Sequence, residues 1–299
     1  MAAGNMKTIK RRIKSVGSTK QITKAMELVA SSKLRKAKKK EKETRPFFEA
    51  QEKMLHEIYR SHSVETEYAK HRGEVKNSLY IVIAGDKGLA GGYNSNVFKK
   101  VGEIHGAKPW SPKIFAIGKK AVDYFEKRDF NLVGGRSNIA ENIKSGHCSG
   151  IARAAIEQFV NGEVDEVKMF YTKFVSSMVQ ETKVMQLLPL VLPEEYKDEN
   201  EPGDAGKQEQ EAKSKLPPTY DPSPDAVFHR IVPNFIAGLI QSAITESYTS
   251  ELSARQTAME SASENAEEMI DRLSLLYNRA RQEKITNEIN EIVGGANAL

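Results

Sequence analysis

The eight residues Gly85-Asp86-Lys87-Gly88-Leu89-Ala90-Gly91-Gly92 follow a short apolar run and precede a helical pattern. An open α/β domain binds phosphates at that place, through backbone N–H groups at a helix start. The stretch holds neither Gly-x-Gly-x-x-Gly nor Gly-Lys-Ser/Thr, and the next strand ends in Gly118-Lys119 without an acidic residue for a ribose. A tight turn that opens a helix is the reading these residues favour. His147 beside Cys148 offers a base and a thiol, but adjacent helical residues point in different directions and no third group orients them. The six His are scattered without ligand spacing, so no catalytic set, cofactor site or metal site is expected. The basic run Lys33, Arg35, Lys36, Lys38, Lys39, Lys40 has the charge of a nucleic-acid arm but no interleaved aromatic residue. It reads as a solvated helix face.

Alternating elements must position the central groups. Leu79 to Ile83, Lys113 to Ile117, a weak Asn131 to Val133, Val167 to Phe174 and Thr182 to Leu192 read as strands. Asn94 to Ile104, Lys119 to Arg128 and Ser137 to Val160 read as helices. That order predicts an inserted open α/β (Rossmann-like) domain with a mainly parallel sheet over 77–193. The acidic, Pro-containing stretch 194–224 reads as a linker. No internal repeat is visible.

Both ends of the chain are helical. From Asn5 to about Arg60 the first Pro is Pro46, where a kink is expected. Ile22, Ala25, Met26, Leu28, Val29 and Ala30 point in most directions around this helix, so one neighbour cannot cover them. From Ile244 onward, Tyr248, Leu252, Arg255, Met259, Ala262, Ala266, Met269, Leu273, Leu276 and Ala280 form a 4-3 series in which only Arg255 is polar, a coiled-coil seam. The stripe then moves to Ile285, Ile289 and Ile292. Lys and Arg crowd the first helix, while the last carries Glu246, Glu251, Glu260, Glu264, Glu267, Glu268 and Asp271. The fold expected is therefore α/β, with a long antiparallel coiled coil formed by the N-terminal (1–60) and C-terminal (225–299) helices.

The 299 residues carry a net charge of +5, too modest to imply nucleic acid by itself, and the single Cys148 excludes an internal disulfide. Charges spread through the N-terminus are unlike a secretory signal. The nearest apolar run to a membrane span, Val184 to Pro193, is too short.

IKRRIKSVGSTKQITKAMELVASSKLRKA, from Ile9 to Ala37, resembles the N-terminal helix of the gamma subunit of F-type ATP synthases. SARQTAMESASENAEEMI, from Ser253 to Ile270, the stretch Ile285 to Ala296 and the loop Gly85 to Asn94 are similar to that family's C-terminal signature and central loop. The resemblance implies a non-catalytic rotor shaft that couples proton or sodium flow to ATP synthesis or hydrolysis by rotation. Its implied partners are the alpha, beta, delta and epsilon subunits and the membrane c-ring. Its implied place is the cytoplasmic face of the bacterial cell membrane, peripheral and without a span of its own. By the family's pattern Met26, Arg255 and Gln256 fall where the shaft meets mobile loops of the beta subunits. Plant members carry an inserted redox-active Cys pair, which Cys148 alone cannot supply. The competing readings are a nucleotide-binding α/β enzyme using Gly85 to Gly92, and a basic coiled-coil nucleic-acid binder.

Overall fold

The computed structural model describes residues 2–61, 66–70, 73–106, 110–190 and 220–296. Helix α1 (Ala2–Ser61) is followed by a 3-10 turn (Glu67–Ala69), β1 (Ser78–Ile83), α2 (Tyr93–His105), β2 (Lys113–Ile117), α3 (Lys119–Glu126), β3 (Asn131–Arg136), α4 (Ser145–Val160), β4 (Glu166–Phe174), β5 (Gln180–Leu188) and α5 (Pro224–Ala296). Most of the expected acidic linker lies outside the described residues. Helix α1 is unbroken through Pro46.

The sheet has the order β3-β2-β1-β4-β5. β1 pairs in parallel with β2 and β4, β2 in parallel with β3, and β4 antiparallel with β5. Every residue of β1 is buried, as a central strand covered on both faces requires. The period of two sends Tyr80 and Val82 to one face, where they pack with Val97 and Val101 of α2, Ala121 and Phe125 of α3, and Phe170. Leu79, Ile81 and Ile83 face the other way, among Ile151 and Phe159 of α4, Leu55 and Ile58 of α1, and Phe228, Val232, Ile236, Ile240 and Ile244 of α5.

Three elements differ from expectation. β5, expected from Thr182 to Leu192, runs Gln180–Leu188. β3 extends to Arg136 because Gly134 and Gly135 need no room for a side chain. A Cβ on Gly134 would stand 2.6 Å from the Phe115 ring. The helix expected from Ser137 begins only at Ser145. Asn138 has φ of 57° and gives its N–H to Asp86, while Ile139 and Ile143 are buried in the turns before the helix.

Contacts divide the chain into two compact units. One holds residues 35–88 and 92–251, with the sheet and the adjoining parts of both long helices. The other holds residues 1–34, 89–91 and 252–299, where α1 and α5 run antiparallel. There Thr23 and Ser263 hydroxyls lie 2.7 Å apart, and Lys20 Nζ is 2.8 Å from Glu267 Oε1. One hydroxyl donates across the pair; the other is left to donate to its own helix, at the Lys20 or the Met259 carbonyl. A polar pair inside an apolar seam fixes register.

The seam itself is corrected in detail. Leu252, Arg255, Met259, Ser263, Ala266 and Ala280 are buried, but Met269 and Leu276 are 51% and 49% exposed. Leu273 is half-buried where the series puts it, and Ile270 and Tyr277 are half-buried beside the exposed positions. Two consecutive steps of four, at Arg255, Met259 and Ser263, shift the stripe by one residue, a local unwinding of the supercoil.

Charge also joins the two helices, through Lys20 and Glu267. Glu246 in addition accepts from Phe174 N–H, and the Glu251 carboxylate lies against the Gly85 backbone. Among the described residues α5 also contains a window that is long and apolar enough, by length and composition, to cross a membrane. Val184 to Pro193 is therefore not the nearest such run. Phe228, Val232, Ile236, Ile240 and Ile244 of α5 are fully buried in the core below the sheet.

Candidate functional site

A sheet ordered 3-2-1-4-5 has its topological switch point between β1 and β4, and open α/β domains bind ligands outside the carboxyl ends of the strands there. In this chain α5 fills that crevice. β4 runs past the last residue paired with β1, at Val82 and Phe170, and α5 takes the backbone groups left over. Thr172 N–H donates to Ser247 Oγ (3.0 Å), Ser250 Oγ donates to the Thr172 carbonyl (3.2 Å), and Phe174 N–H donates to Glu246 Oε1 (3.2 Å).

On the β1 side the backbone of Gly85 lies so close to the Glu251 carboxylate that an added Cβ would stand 2.8 Å from it. Helix α5 can sit there only because residue 85 is glycine. Ser247, Thr249, Ser250 and Glu251 are all buried, a polar row that a crevice rich in backbone groups can accept.

The Gly-rich turn is an internally tied structure. Asn94 Oδ1 accepts from Gly85 N–H (2.8 Å), and Asp86 Oδ1 accepts from the N–H groups of Lys119 and Asn138 (2.9 and 2.8 Å). The Asp86 carboxylate thus sits on the first turn of α3, where a phosphate would otherwise find its donors. Gly118, at φ of 94°, passes so close to the Ala84 carbonyl that a Cβ would lie 2.0 Å from its oxygen. A carboxylate of the chain's own in one place and a helix in the other leave this crevice to packing.

The other candidates resolve likewise. Cys148 is fully buried in the core, and desolvation raises its thiol to about 11, far from a reactive thiolate. Lys38 lies 4.4 Å over the Phe174 ring, and Lys40 reaches the Ile143 carbonyl at 3.4 Å, so two of the six basic residues are spent against the α/β domain. Burial beside Glu166 pushes the Tyr80 phenol up to about 12; Glu166 itself bonds Ser78 and Lys168. Among the described residues no group of three or more His, Cys, Asp or Glu could hold a metal ion.

Met26, Arg255 and Gln256 all belong to the unit in which α1 and α5 pair. Met26 and Gln256 are half-buried. Arg255 is only 8% exposed, so its guanidinium is covered mostly within the chain. Around them Ile22, Leu28 and Val29 of α1 are exposed, Ile22 to 61%, as are Met269, Leu275, Leu276, Ile285, Ile289, Ile292 and Val293 of α5. Of the six apolar residues from Ile22 to Ala30, only Ala30 is buried. Sequence reasoning missed Glu246, Ser247 and Ser250. Their signal was a run of small polar residues on a helix face that continues an apolar stripe.

The sheet order, the filled crevice and the two long terminal helices define the class: a doubly wound α/β domain carried between long paired helices, with its ligand crevice given over to packing. The ATP synthase family model matches residues 5–299. The ATP synthase gamma chain of Ruminococcus albus is 49% identical over 96% of both chains, and the sodium ion specific ATP synthase gamma chain of Acetobacterium woodii 43% identical over 99% of both. Among solved structures, a chain of the Euglena gracilis mitochondrial ATP synthase assembly of OSCP, F1 and c-ring shares the fold. It has a TM-score of 0.65 at 20% identity, covering 99% of this chain and 95% of that one. A chain of the Tetrahymena thermophila mitochondrial ATP synthase central stalk and c-ring gives 0.59 at 22%, covering 81% and 99%. The chain belongs to the ATP synthase gamma-chain family, the central rotor shaft of F-type ATP synthases.

Proposed function

We propose that this chain is the non-catalytic shaft of its complex, turning inside the alpha/beta ring while its α/β domain works with the c-ring and the delta and epsilon subunits on the cytoplasmic face of a bacterial membrane. It is peripheral there, spans no membrane and binds no nucleic acid. The coupling ion is a proton or sodium, and the sodium-specific relative keeps both open. The division into shaft helices 1–60 and 225–299, an α/β domain 77–193 and a linker 194–224 is part of this reading. The observation that carries it is the exposed apolar surface spread around α1 and α5 in the paired unit. Among the described residues ten large apolar side chains there, from Ile22 to Val293, stand in water in the free chain. A surface of that kind marks an interaction site, and its distribution around the pair suits an enclosing sleeve better than a one-sided partner.

Met26, Arg255 and Gln256 are proposed to meet mobile loops of the beta subunits. Met26 and Gln256, both half-buried, offer partly open surface, and Arg255 places a charge beside them. Met26→Lys places an ammonium on an apolar contact, where it must be desolvated or must draw a carboxylate onto itself. The complex should assemble and hydrolyse ATP while pumping fewer ions per ATP. Arg255→Ala removes a buried, charged donor worth about 1.5–3 kcal/mol in hydrogen bonding and should lower both turnover and melting temperature. Reconstituted vesicles measured for ATPase rate and ion uptake together are the test. Unaltered pumping per ATP in Met26→Lys would refute the assignment.

A further inference from the structure

We propose that Glu246, Ser247 and Ser250 form a torque-bearing joint, positioning residues that stop α5 from turning about its own axis inside the α/β domain. The proposal rests on the rotor-shaft reading and adds the place where turning force enters the helix.

Most of the grip on α5 within this domain is apolar, through Phe228, Val232, Ile236, Ile240 and Ile244. Apolar attraction is non-directional. It opposes withdrawal of a helix from its socket but distinguishes poorly between small rotations about the helix axis. A hydrogen bond weakens steeply once it is bent away from its axis, so it does oppose such rotation.

The three bonds to β4 are set out for this purpose. Their acceptors and donor lie within one turn and a half of α5, at 246, 247 and 250, and their partners are backbone groups of a strand paired on both sides below Phe170. Ser247 accepts and Ser250 donates at the same residue, Thr172, so rotation in either sense bends at least one of the pair. Ser247 and Ser250 are both buried, which keeps water from replacing the lost bonds. Gly85 against the Glu251 carboxylate closes the opposite side. The next residue of α5, Leu252, begins the part of the helix that pairs with α1.

The test is rotation of the assembled complex, immobilised by its alpha/beta ring, with a rigid marker on Cys introduced as Met178→Cys. Met178 is 85% exposed and Cys148 is buried, so one site is labelled. In the Ser247→Ala/Ser250→Ala chain the angular spread of the marker during catalytic pauses should broaden roughly twofold as two of three directional bonds are lost, with the unloaded ATPase rate unchanged. Glu246→Gln, which keeps an acceptor oxygen, should stay near the parent. Ile240→Val trims the apolar grip alone and should not broaden the spread.

An unchanged spread in the double variant, or equal broadening in Ile240→Val, would overturn the joint. Should the double variant not assemble, Ser250→Ala alone carries the same expectation in smaller measure. A parent marker that does not rotate with ATP would instead refute the rotor reading.

Discussion

Cys148 shows how burial settles the chemistry of a single residue. Its neighbour His147 suggested a nucleophile and base, but the thiol lies at 0% exposure in the apolar core and desolvation holds its pKa near 11, above the ordinary 9.0. The folded chain therefore keeps the proton where the unfolded chain gives it up. The stability that this difference contributes is complete below pH 9 and declines as pH rises toward 11. At pH 8 a maleimide should label Cys148 only as fast as the chain unfolds. Fast labelling without loss of helical signal would contradict the burial. Arg255 is the opposite case, a charge that the seam encloses. Its type and spacing were legible as the single polar position in the 4-3 series, while its degree of cover was not, because cover depends on how α1 crosses it.

At the scale of elements, the glycines that resemble a phosphate loop are there for close approach of backbone to backbone and backbone to carboxylate. Gly118→Ala would press a methyl group onto the Ala84 carbonyl oxygen at a φ of 94°, a conformation costing a side-chain-bearing residue about 1–3 kcal/mol before the clash is added. The α/β domain should lose several degrees of melting temperature, read by scanning calorimetry. Gly17→Ala, with open space around the added methyl, should leave it unchanged or higher. The strands were legible from runs such as Leu79 to Ile83 because a strand buried on both faces must be apolar throughout. The start of α4 and the end of β3 were not. A tertiary hydrogen bond from Asn138 to Asp86 decides the one, and the Phe115 ring over Gly134 decides the other.

At the scale of the whole molecule, the exposed apolar surface of the paired unit predicts that this part of the chain is protected chiefly by its partners. Hydrogen exchange from Ile22 to Val29 should slow by orders of magnitude on assembly with the alpha/beta ring, while β1 exchanges slowly in both states. Slow exchange of that α1 segment in the free chain would count against the sleeve. The sequence by itself determined the two terminal helices, the intervening α/β domain and the family, because periodicity and motif are written in consecutive residues. It also determined that one neighbour could not cover Ile22 to Ala30, since angle around a helix follows from spacing alone. Only the tertiary structure decided that Ser263 is the buried seam position beside a half-buried Ala262, and that Glu246 reaches β4 while the Glu251 carboxylate lies against Gly85. It alone decided that the switch-point crevice is occupied by α5. These outcomes depend on which of two nearly equivalent neighbours a side chain meets, and that choice is made by strand length and helix register across distant parts of the chain.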